Sequence, residues 1–284
     1  MDPRNEALVV VAELAPPPRP YAALADHLGP SHDDHATFKA KGDWLSATLE
    51  DVDQDGVVRV VCLGDSNTLP PGDPAPPSEF QGWCTQAAAL LTQVRVPGPV
   101  GELELRPVTF FSTAWGTARA METNNPIVAD GPEQVARALQ SAAADVLVLS
   151  FGSADLLNDA TPVEVNDALL GLQAQASGRR VYVALVPPIY EPVCVPGLAI
   201  CQSCLNDVAK YCQAVDPLEF NEQVREVNEL IRESFPAGRV IDFYSIVKSQ
   251  PVGKPGDFGD GVHFAPSAQA KRAKKVVTAL KLGY

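Results

Sequence analysis

The sequence predicts an α/β protein, a three-layer α/β/α sandwich built around a five-stranded parallel sheet. Two observations support this prediction. Short apolar runs typical of buried strands alternate along the chain with longer segments whose apolar residues recur at helical spacing. The apolar runs also end in glycine, serine or proline residues, which favour turns. Because strands separated by helices pair in parallel, the helices are expected to cover both faces of the sheet.

Five strand–helix units account for the chain from residue 57 onward. The first strand is rich in valine and ends at the turn-forming Gly64, and the third is the most continuous apolar run of the sequence. The last helix is basic and amphipathic, with its apolar residues on one side. The predicted strands are 57–63, 103–111, 145–151, 180–186 and 239–243, and the predicted helices are 80–91, 135–144, 163–176, 218–235 and 267–282.

Residues 1–55 are predicted to form an N-terminal extension that packs on the main domain, residues 56–284. The proline run at 16–20 interrupts the first apolar segment of this extension. Its acidic end, 51–56, matches the opening of an EF-hand calcium loop, which needs a glutamate at the twelfth position. That position is Cys62, inside a predicted strand. We therefore interpret the segment as a solvated acidic turn, with calcium binding as the minor alternative.

The formal net charge of −13 argues against nucleic acid and anionic membrane surfaces as partners, because both would repel the chain. No apolar run approaches the roughly 18 residues typical of a membrane span. Neutral and cationic small molecules remain compatible substrates. The first five residues and the short apolar run after them do not make a secretory signal, so we expect an intracellular protein or one that has lost a leader.

Four of the six cysteines lie close together in a segment without helix or strand periodicity, at about 189–217. We interpret this segment as an insertion stapled by two disulfides, which predicts a secreted or periplasmic protein, with a cytoplasmic location as the alternative. A zinc site and free thiols stay open, although Cys201 and Cys204 lack the second close pair that zinc sites use. Cys62 and Cys84 are expected to be small buried residues. The disulfide candidates are Cys194, Cys201, Cys204 and Cys212.

A serine stands in a tight turn at the end of the first strand. Gly64-Asp65-Ser66-Asn67 delivers a hydroxyl to the carboxyl edge of the sheet, where ligands bind in open α/β folds, so Ser66 is a candidate nucleophile. Asp65 is interpreted as a structural carboxylate that holds the turn. Asp260 and His263 stand three residues apart in a glycine-rich loop before the last helix. At that spacing the aspartate can hold one imidazole nitrogen while the other faces a serine.

The Gly64-Asp65-Ser66 block and the Asp260-x-x-His263 block resemble the first and last blocks of the SGNH, or GDSL-type, hydrolase family. The resemblance covers residues 57–284. It implies a flavodoxin-like sheet and a catalytic triad that needs neither a metal nor an organic cofactor. In this triad Ser66 attacks an ester carbonyl, His263 accepts the serine proton and Asp260 orients the histidine.

The resemblance also implies an oxyanion hole with three donors. The backbone N–H groups of Ser66 and Gly116 match two of them, and Trp115 is expected to line the pocket. The third donor of the family is an asparagine, whereas this chain has Ala154, and one such donor is typically worth about 10²–10³-fold in rate. Three interpretations stay open: an esterase with a replacement donor, a weak enzyme or one with a different acyl acceptor, and a binding module. Candidate replacements are Asn158, Ser153, Asn67 and a water molecule.

The expected activity is that of a serine carboxylester hydrolase whose acyl-enzyme at Ser66 is hydrolysed by water. The resemblance implies a small, acetyl-like acyl group, and two features of the sequence agree: it shows no long apolar helix for a lipid-accepting lid, and its acidic charge does not suit anionic lipids. A carbohydrate deacetylase is one concrete version. Thioesterase, lysophospholipase and acyltransferase activities are alternatives, as is a silent binding domain. The insertion is expected to shape the pocket, with Tyr190 as a substrate contact beside Trp115.

Overall fold

The computed structural model describes residues 49, 51–68, 82–97, 103–115, 117–122, 128–176, 178–189, 217–248 and 264–282. Within these ranges the strands are β1 (Val58–Gly64), β2 (Gln93–Pro97), β3 (Leu103–Ser112), β4 (Val146–Ser150), β5 (Arg180–Ala184) and β6 (Val240–Ile241). The helices of the same ranges are α1 (Trp83–Leu90), α2 (Gly131–Gln140), α3 (Ser153–Leu156), α4 (Pro162–Gln175), α5 (Pro217–Ser234), α6 (Ser245–Lys248) and α7 (Pro266–Leu282). A 3₁₀ turn at Ala237–Arg239 precedes β6.

The described strands form one six-stranded sheet in the order β2-β3-β1-β4-β5-β6. All neighbours pair in parallel except β2, which runs antiparallel to β3 at the edge. The α/β class is confirmed, and the five parallel strands follow the order of a flavodoxin-type sheet. The predicted count of five strands is too low by one. The missed strand, β2, is short, partly polar and ends in a proline, which sheets tolerate at an edge.

Two apolar cores lie on opposite faces of this sheet. On one face, Leu147 and Leu149 of β4 belong to the same cluster as residues of α2, α4 and α5. On the other face, Val146 and Val148 share a cluster with residues of α1 and α7. β4 is therefore buried on both sides, which explains why its sequence is continuously apolar. The predicted three-layer arrangement is confirmed.

Local sequence explains where two of the helices begin. α2 begins at Gly131, four residues before the predicted start, because Pro132 is favoured in a first turn, where its missing N–H is not needed. α4 follows Thr161, whose hydroxyl accepts the N–H of Glu164 while the Glu164 carboxylate accepts the N–H of Thr161. This reciprocal capping box fixes the first turn of the helix. Within the described ranges, no helix combines the length and apolar character needed to cross a lipid bilayer.

Acidic side chains attach the segment before β1 to the rest of the molecule. The Asp51 carboxylate accepts the N–H groups of Asp55 and Gly56, which closes a turn. Asp145, next to β4, accepts the N–H of Val52 at 2.7 Å. The described residues therefore use the calcium-like run as a turn, and they contain no group of three or more His, Cys, Asp or Glu side chains arranged to hold a metal ion.

A disulfide joins Cys62 of β1 to Cys84 in the first turn of α1. Both residues are buried as expected, and the bond between them is a feature that the sequence analysis did not predict. Strand alternation directs Cys62 toward the face that α1 covers, and Cys84 lies on the buried side of that helix, so the two Cα atoms are 6.2 Å apart. The four cysteines of the predicted insertion lie outside the described residues.

Candidate active site

The carboxyl ends of β1, β3 and β4 lie side by side. In the parallel register Gly64 pairs with Ser150 and Cys62 pairs with Ser112, so β1 and β4 end at the same level and β3 ends two residues before them. These are the loops to which the sequence analysis assigned the nucleophile and the oxyanion hole. Of the predicted site residues, Gly116, Tyr190, Asp260 and His263 lie outside the described ranges.

Ser66 stands in a turn that its neighbours hold from within. The Asp65 carbonyl accepts the N–H of Thr68 at 2.9 Å, and the Asp65 carboxylate accepts the N–H of Asn67 at 2.9 Å. These bonds agree with the structural role expected for Asp65. Of residues 60–68, all are buried except Ser66, which is partly exposed. The turn therefore presents one side chain, the serine, toward solvent.

The turn starts at Gly64, where no larger residue fits. A Cβ atom added there would overlap the Thr68 hydroxyl and approach the Ser150 carbonyl oxygen to 2.5 Å. The fully buried Gln134 of α2 binds both backbone groups of Gly64: Oε1 accepts its N–H at 2.9 Å, and Nε2 donates to its carbonyl at 3.0 Å. Nε2 also donates to the Ala129 carbonyl at 2.8 Å. Gln134 was not predicted from the sequence. The feature that could have identified it is an amide side chain on the apolar side of an amphipathic helix.

The loop after β3 is bound to the nucleophile turn through its backbone. The N–H of Trp115 donates to the Gly64 carbonyl at 3.1 Å, and the N–H of Thr113 donates to the Cys62 carbonyl at 3.0 Å. The Trp115 side chain is partly buried and packs against the core on the α2 side of the sheet. Its position next to the turn keeps Trp115 a candidate for the pocket wall.

The loop after β4 carries Ala154 on the short helix α3. It begins at Gly152, whose φ of 119° is a left-handed conformation that favours glycine. Asp155 is fully buried, and its carboxylate accepts the N–H groups of Ala120 at 3.0 Å and Met121 at 3.3 Å. Burial raises the pKa of Asp155 above its ordinary value, while these two bonds oppose the shift. Asp155 thus connects the third strand-end loop to the second.

Three candidate replacements for the missing amide lie in the described part of the chain. Asn158 is exposed, and its Nδ2 donates to the Ala154 carbonyl at 2.7 Å, one helical turn back. Ser153 and Asn67 are both buried. The Asn158 Nδ2 carries a second N–H that this bond does not use, so Asn158 stays a candidate donor. The identity of the third donor therefore stays a prediction.

A buried cation lies next to the nucleophile turn. Arg272 of α7 has no exposed surface; its Nη1 donates to the Asn67 carbonyl at 2.5 Å, and its Nη2 donates to the Ser150 hydroxyl at 3.1 Å. Burial lowers the pKa of Arg272 to about 9, and the charge of Asp65 opposes this shift. The guanidinium is therefore charged at neutral pH. The sequence analysis treated α7 as a basic amphipathic helix and did not single out this arginine.

Two asparagines of α5 fix the segment that leads into the predicted insertion. Asn228 accepts the N–H of Val186 and donates to its carbonyl, both at 2.8 Å. Asn221 binds Ile189 in the same way, at 2.9 and 2.8 Å. Because the two asparagines are seven residues apart, they lie on one face of the helix. Residues 186–189 are therefore held like a strand up to the point where the described residues stop.

Comparisons with known proteins agree with this geometry. A sequence model of the GDSL-like lipase/acylhydrolase family matches residues 60–276. Among solved structures, a lipolytic protein of the G-D-S-L family from Veillonella parvula shares 18% identity and a TM-score of 0.50 over 78% of this chain and 96% of that chain.

Two further solved structures have the same fold over the same shares of the chains, 78% of this one and 96% of the other. An aryl esterase from M. smegmatis is 16% identical with a TM-score of 0.50. A carbohydrate acetylesterase from Sinorhizobium meliloti is 14% identical with a TM-score of 0.51. At these identities the likeness shows the fold alone. No curated protein matches the chain significantly.

Proposed function

Because the chain belongs to the GDSL-like lipase/acylhydrolase family, we propose that it is a serine carboxylester hydrolase with Ser66 as its nucleophile. The observation that supports this most directly is the environment of Ser66. It is the one partly exposed residue of the buried stretch 60–68, in a turn whose backbone is bound by Gln134, Trp115 and Arg272. A nucleophile needs access to its substrate and a fixed orientation, and this turn supplies both.

The proposed reaction passes through an acyl-enzyme. Ser66 Oγ attacks the ester carbonyl carbon while His263 accepts the hydroxyl proton and Asp260 stabilises the imidazolium. The bond to the alcohol oxygen then breaks, and the alcohol leaves with the proton from His263. A water molecule, deprotonated by His263, attacks the acyl carbon, the acid leaves, and Ser66 regains its proton. The roles of Asp260 and His263 rest on the family resemblance of their sequence block.

The negative charge on the attacked carbonyl oxygen is proposed to be stabilised by two backbone N–H groups, those of Ser66 and Gly116. Ala154 stands where the family has the asparagine that supplies a third donor. Since one donor of this kind is typically worth about 10²–10³-fold in rate, we expect turnover below that of relatives that have the asparagine.

The proposed substrates are small-acyl esters of neutral or cationic alcohols, with acetylated carbohydrates as one version, and no cofactor enters the reaction. The formal charge of −13 makes anionic lipids and nucleic acids unfavourable partners. Trp115 and Tyr190 are the proposed substrate contacts. The preference for small acyl groups rests on the family resemblance and on the acidic charge, and no residue of this chain identifies the alcohol.

A secreted or periplasmic location is proposed on the basis of cysteine chemistry. The disulfide between Cys62 and Cys84 supports it, because disulfides persist in oxidising compartments and are rare in the cytosol. The four cysteines of the insertion are proposed to form two further disulfides in the same environment.

Ala154 also supports a second candidate function. An SGNH-like domain with an incomplete oxyanion hole can bind a carbohydrate or a protein without turning it over, or it can transfer the acyl group to an acceptor other than water. A domain of this kind keeps the cleft at the strand ends while the rate of hydrolysis falls.

One experiment separates the two functions. The full chain and its Ser66→Ala variant are incubated with p-nitrophenyl acetate, with p-nitrophenyl butyrate and with a fluorophosphonate probe. The esterase proposal predicts that the wild type hydrolyses acetate faster than butyrate and is labelled at Ser66, and that the variant does neither. A folded wild type that neither hydrolyses the esters nor reacts with the probe would overturn the proposal.

A further inference from the structure

We propose that Arg272 is a positioning residue that fixes the nucleophile turn relative to Phe264, the residue that follows His263 in the sequence. This inference rests on the proposed function, which makes Ser66 the nucleophile and His263 the base. It concerns a residue of neither sequence block by which the family is identified.

The guanidinium contacts both the nucleophile turn and Phe264. Nη1 donates at 2.5 Å to the carbonyl of Asn67, the residue that follows Ser66. On the other side, the guanidinium carbon lies 4.5 Å from the ring centre of Phe264, the residue that follows His263. One planar group therefore contacts the immediate chain neighbours of the proposed nucleophile and the proposed base.

Two further contacts hold the guanidinium itself in place. Its carbon lies 4.2 Å from the ring centre of Phe243, so the cation lies over the rings of two phenylalanines. Phe243 in turn packs edge-to-face on Trp83, with ring centres 5.6 Å apart. Nη2 donates to the hydroxyl of Ser150, at the end of β4. The orientation of the guanidinium is thus set from the sheet, from α1 and from both aromatic rings.

Stability alone does not account for an arginine at this place. Burying a charge is costly, and an apolar side chain of similar volume often serves a core equally well. Arg272 is buried among phenylalanine rings, and its Nε has no partner among the described residues. What arginine supplies instead is a fixed direction for its hydrogen bonds, because a guanidinium offers several donors in a rigid plane. From this plane Nη1 donates to the Asn67 carbonyl, and the ring of Phe264 lies against the same guanidinium.

Lysine would not reproduce this arrangement. Its ammonium is a compact point charge without a flat face to lie over the aromatic rings, and it does not direct two donors in one plane. Gln269, one turn earlier on α7, donates to the same Asn67 carbonyl at 3.3 Å, which is a longer bond. Replacing Arg272 therefore leaves the turn attached to α7 but less firmly oriented.

The test compares Arg272→Met and Arg272→Lys with Val276→Ala. Val276 is fully buried one turn further along α7, and its truncation loosens the apolar core between α7 and the sheet without removing a hydrogen bond to Asn67. Melting temperatures establish that each protein is folded at the assay temperature. We expect both Arg272 variants to lose about 10²-fold in kcat on p-nitrophenyl acetate, with KM much less changed, because misplacement of a catalytic group by about 1 Å costs that much. The rate of fluorophosphonate labelling is expected to fall in parallel.

The outcomes are distinct. Val276→Ala is expected to keep kcat near the wild-type value at a comparable loss of melting temperature. A wild type that reacts with the probe, together with an Arg272→Met variant as active as Val276→Ala, overturns the positioning role and leaves the esterase proposal standing. An unreactive wild type overturns both.

A milder variant covers the case in which the Arg272 variants do not fold. Ser150→Ala removes the acceptor of Nη2 and leaves the aromatic stack in place. We expect it to be labelled several-fold more slowly than Val276→Ala. Labelling of Ser150→Ala at the wild-type rate overturns the proposal.

Discussion

Gln134 and Gly64 form a closed pair of hydrogen bonds between α2 and the end of β1. The glutamine Oε1 accepts the glycine N–H at 2.9 Å, and its Nε2 donates to the glycine carbonyl at 3.0 Å. A buried amide side chain thus continues the backbone pairing of the strand at the point where the chain turns toward Ser66. The orientation of the proposed nucleophile therefore depends on a helix whose glutamine lies 70 residues further along the chain.

Gln134→Leu is expected to lower both stability and activity. Leucine keeps the volume, but the Gly64 N–H loses its acceptor in a fully buried place, which typically costs about 1–3 kcal/mol. Urea unfolding measures this loss, and p-nitrophenyl acetate hydrolysis measures the effect on Ser66. The matched control is Gln175→Leu, because Gln175 also donates from Nε2 to a backbone carbonyl, that of Pro132, but is exposed. Equal unfolding free energies for the two variants would contradict the role of Gln134.

The fold was largely predictable because its central strands are buried on both faces. A short, continuously apolar run such as that of β4 is typical of a parallel strand that helices cover on both sides. β2 was missed because an edge strand needs no such run, and Arg95 and Pro97 lower its apolar content. β6 was predicted too long, since only Val240 and Ile241 pair with β5 before the chain turns.

The candidate site was predictable only where a short sequence block carries the chemistry. Ser66 could be predicted from the residues of its own turn, and its neighbour Asp65 makes the backbone bond expected of it. Gln134 and Arg272 were not predictable, because their partners lie 70 and 205 residues away and depend on the packing of α2 and α7. The Cys62–Cys84 disulfide depends in the same way on how α1 lies on the sheet.

Asp155→Asn is expected to change how stability depends on pH. Burial raises the pKa of Asp155 above 3.8, so between that pH and the raised pKa the folded protein holds a proton that the unfolded chain has released. The free energy of unfolding contributed by this group therefore falls as the pH rises through that window. The wild-type value minus the Asp155→Asn value should decrease over the same range. Urea unfolding of both proteins at several pH values measures this difference.

The buried Asp145 does not affect the difference in unfolding free energy between the wild type and Asp155→Asn. Burial also raises its pKa, but it is present in both proteins, so its effect cancels in the difference. A difference that stays constant, or one that increases with pH, would show that Asp155 does not hold its proton more tightly in the folded state.

The disulfide limits the number of free thiols. Because Cys62 and Cys84 are bonded, no more than four of the six cysteines can react with an alkylating reagent in the unreduced, denatured protein. Intact mass after alkylation counts them, and the proposed disulfides of the insertion predict a count of zero. Four alkylated thiols would refute the stapled insertion, and five or six would also refute the Cys62–Cys84 bond. Reduction before alkylation is the control and should yield six.

The oxyanion hole offers a gain-of-function test at Ala154. This residue is partly exposed on α3, and its carbonyl accepts the Asn158 amide, a bond that a new side chain at 154 leaves intact.

Ala154→Asn is expected to raise kcat on p-nitrophenyl acetate by about 10²-fold if the missing donor limits the reaction, since a single donor is worth that much in related chemistry. The matched control is Asn158→Ala, which removes the other nearby amide; it should leave the rate unchanged if that amide serves only the helix backbone. If instead Asn158→Ala abolishes activity and Ala154→Asn gains nothing, Asn158 serves as the donor through its second N–H. The two variants thus decide whether the transition state at Ser66 is held by two groups or by three.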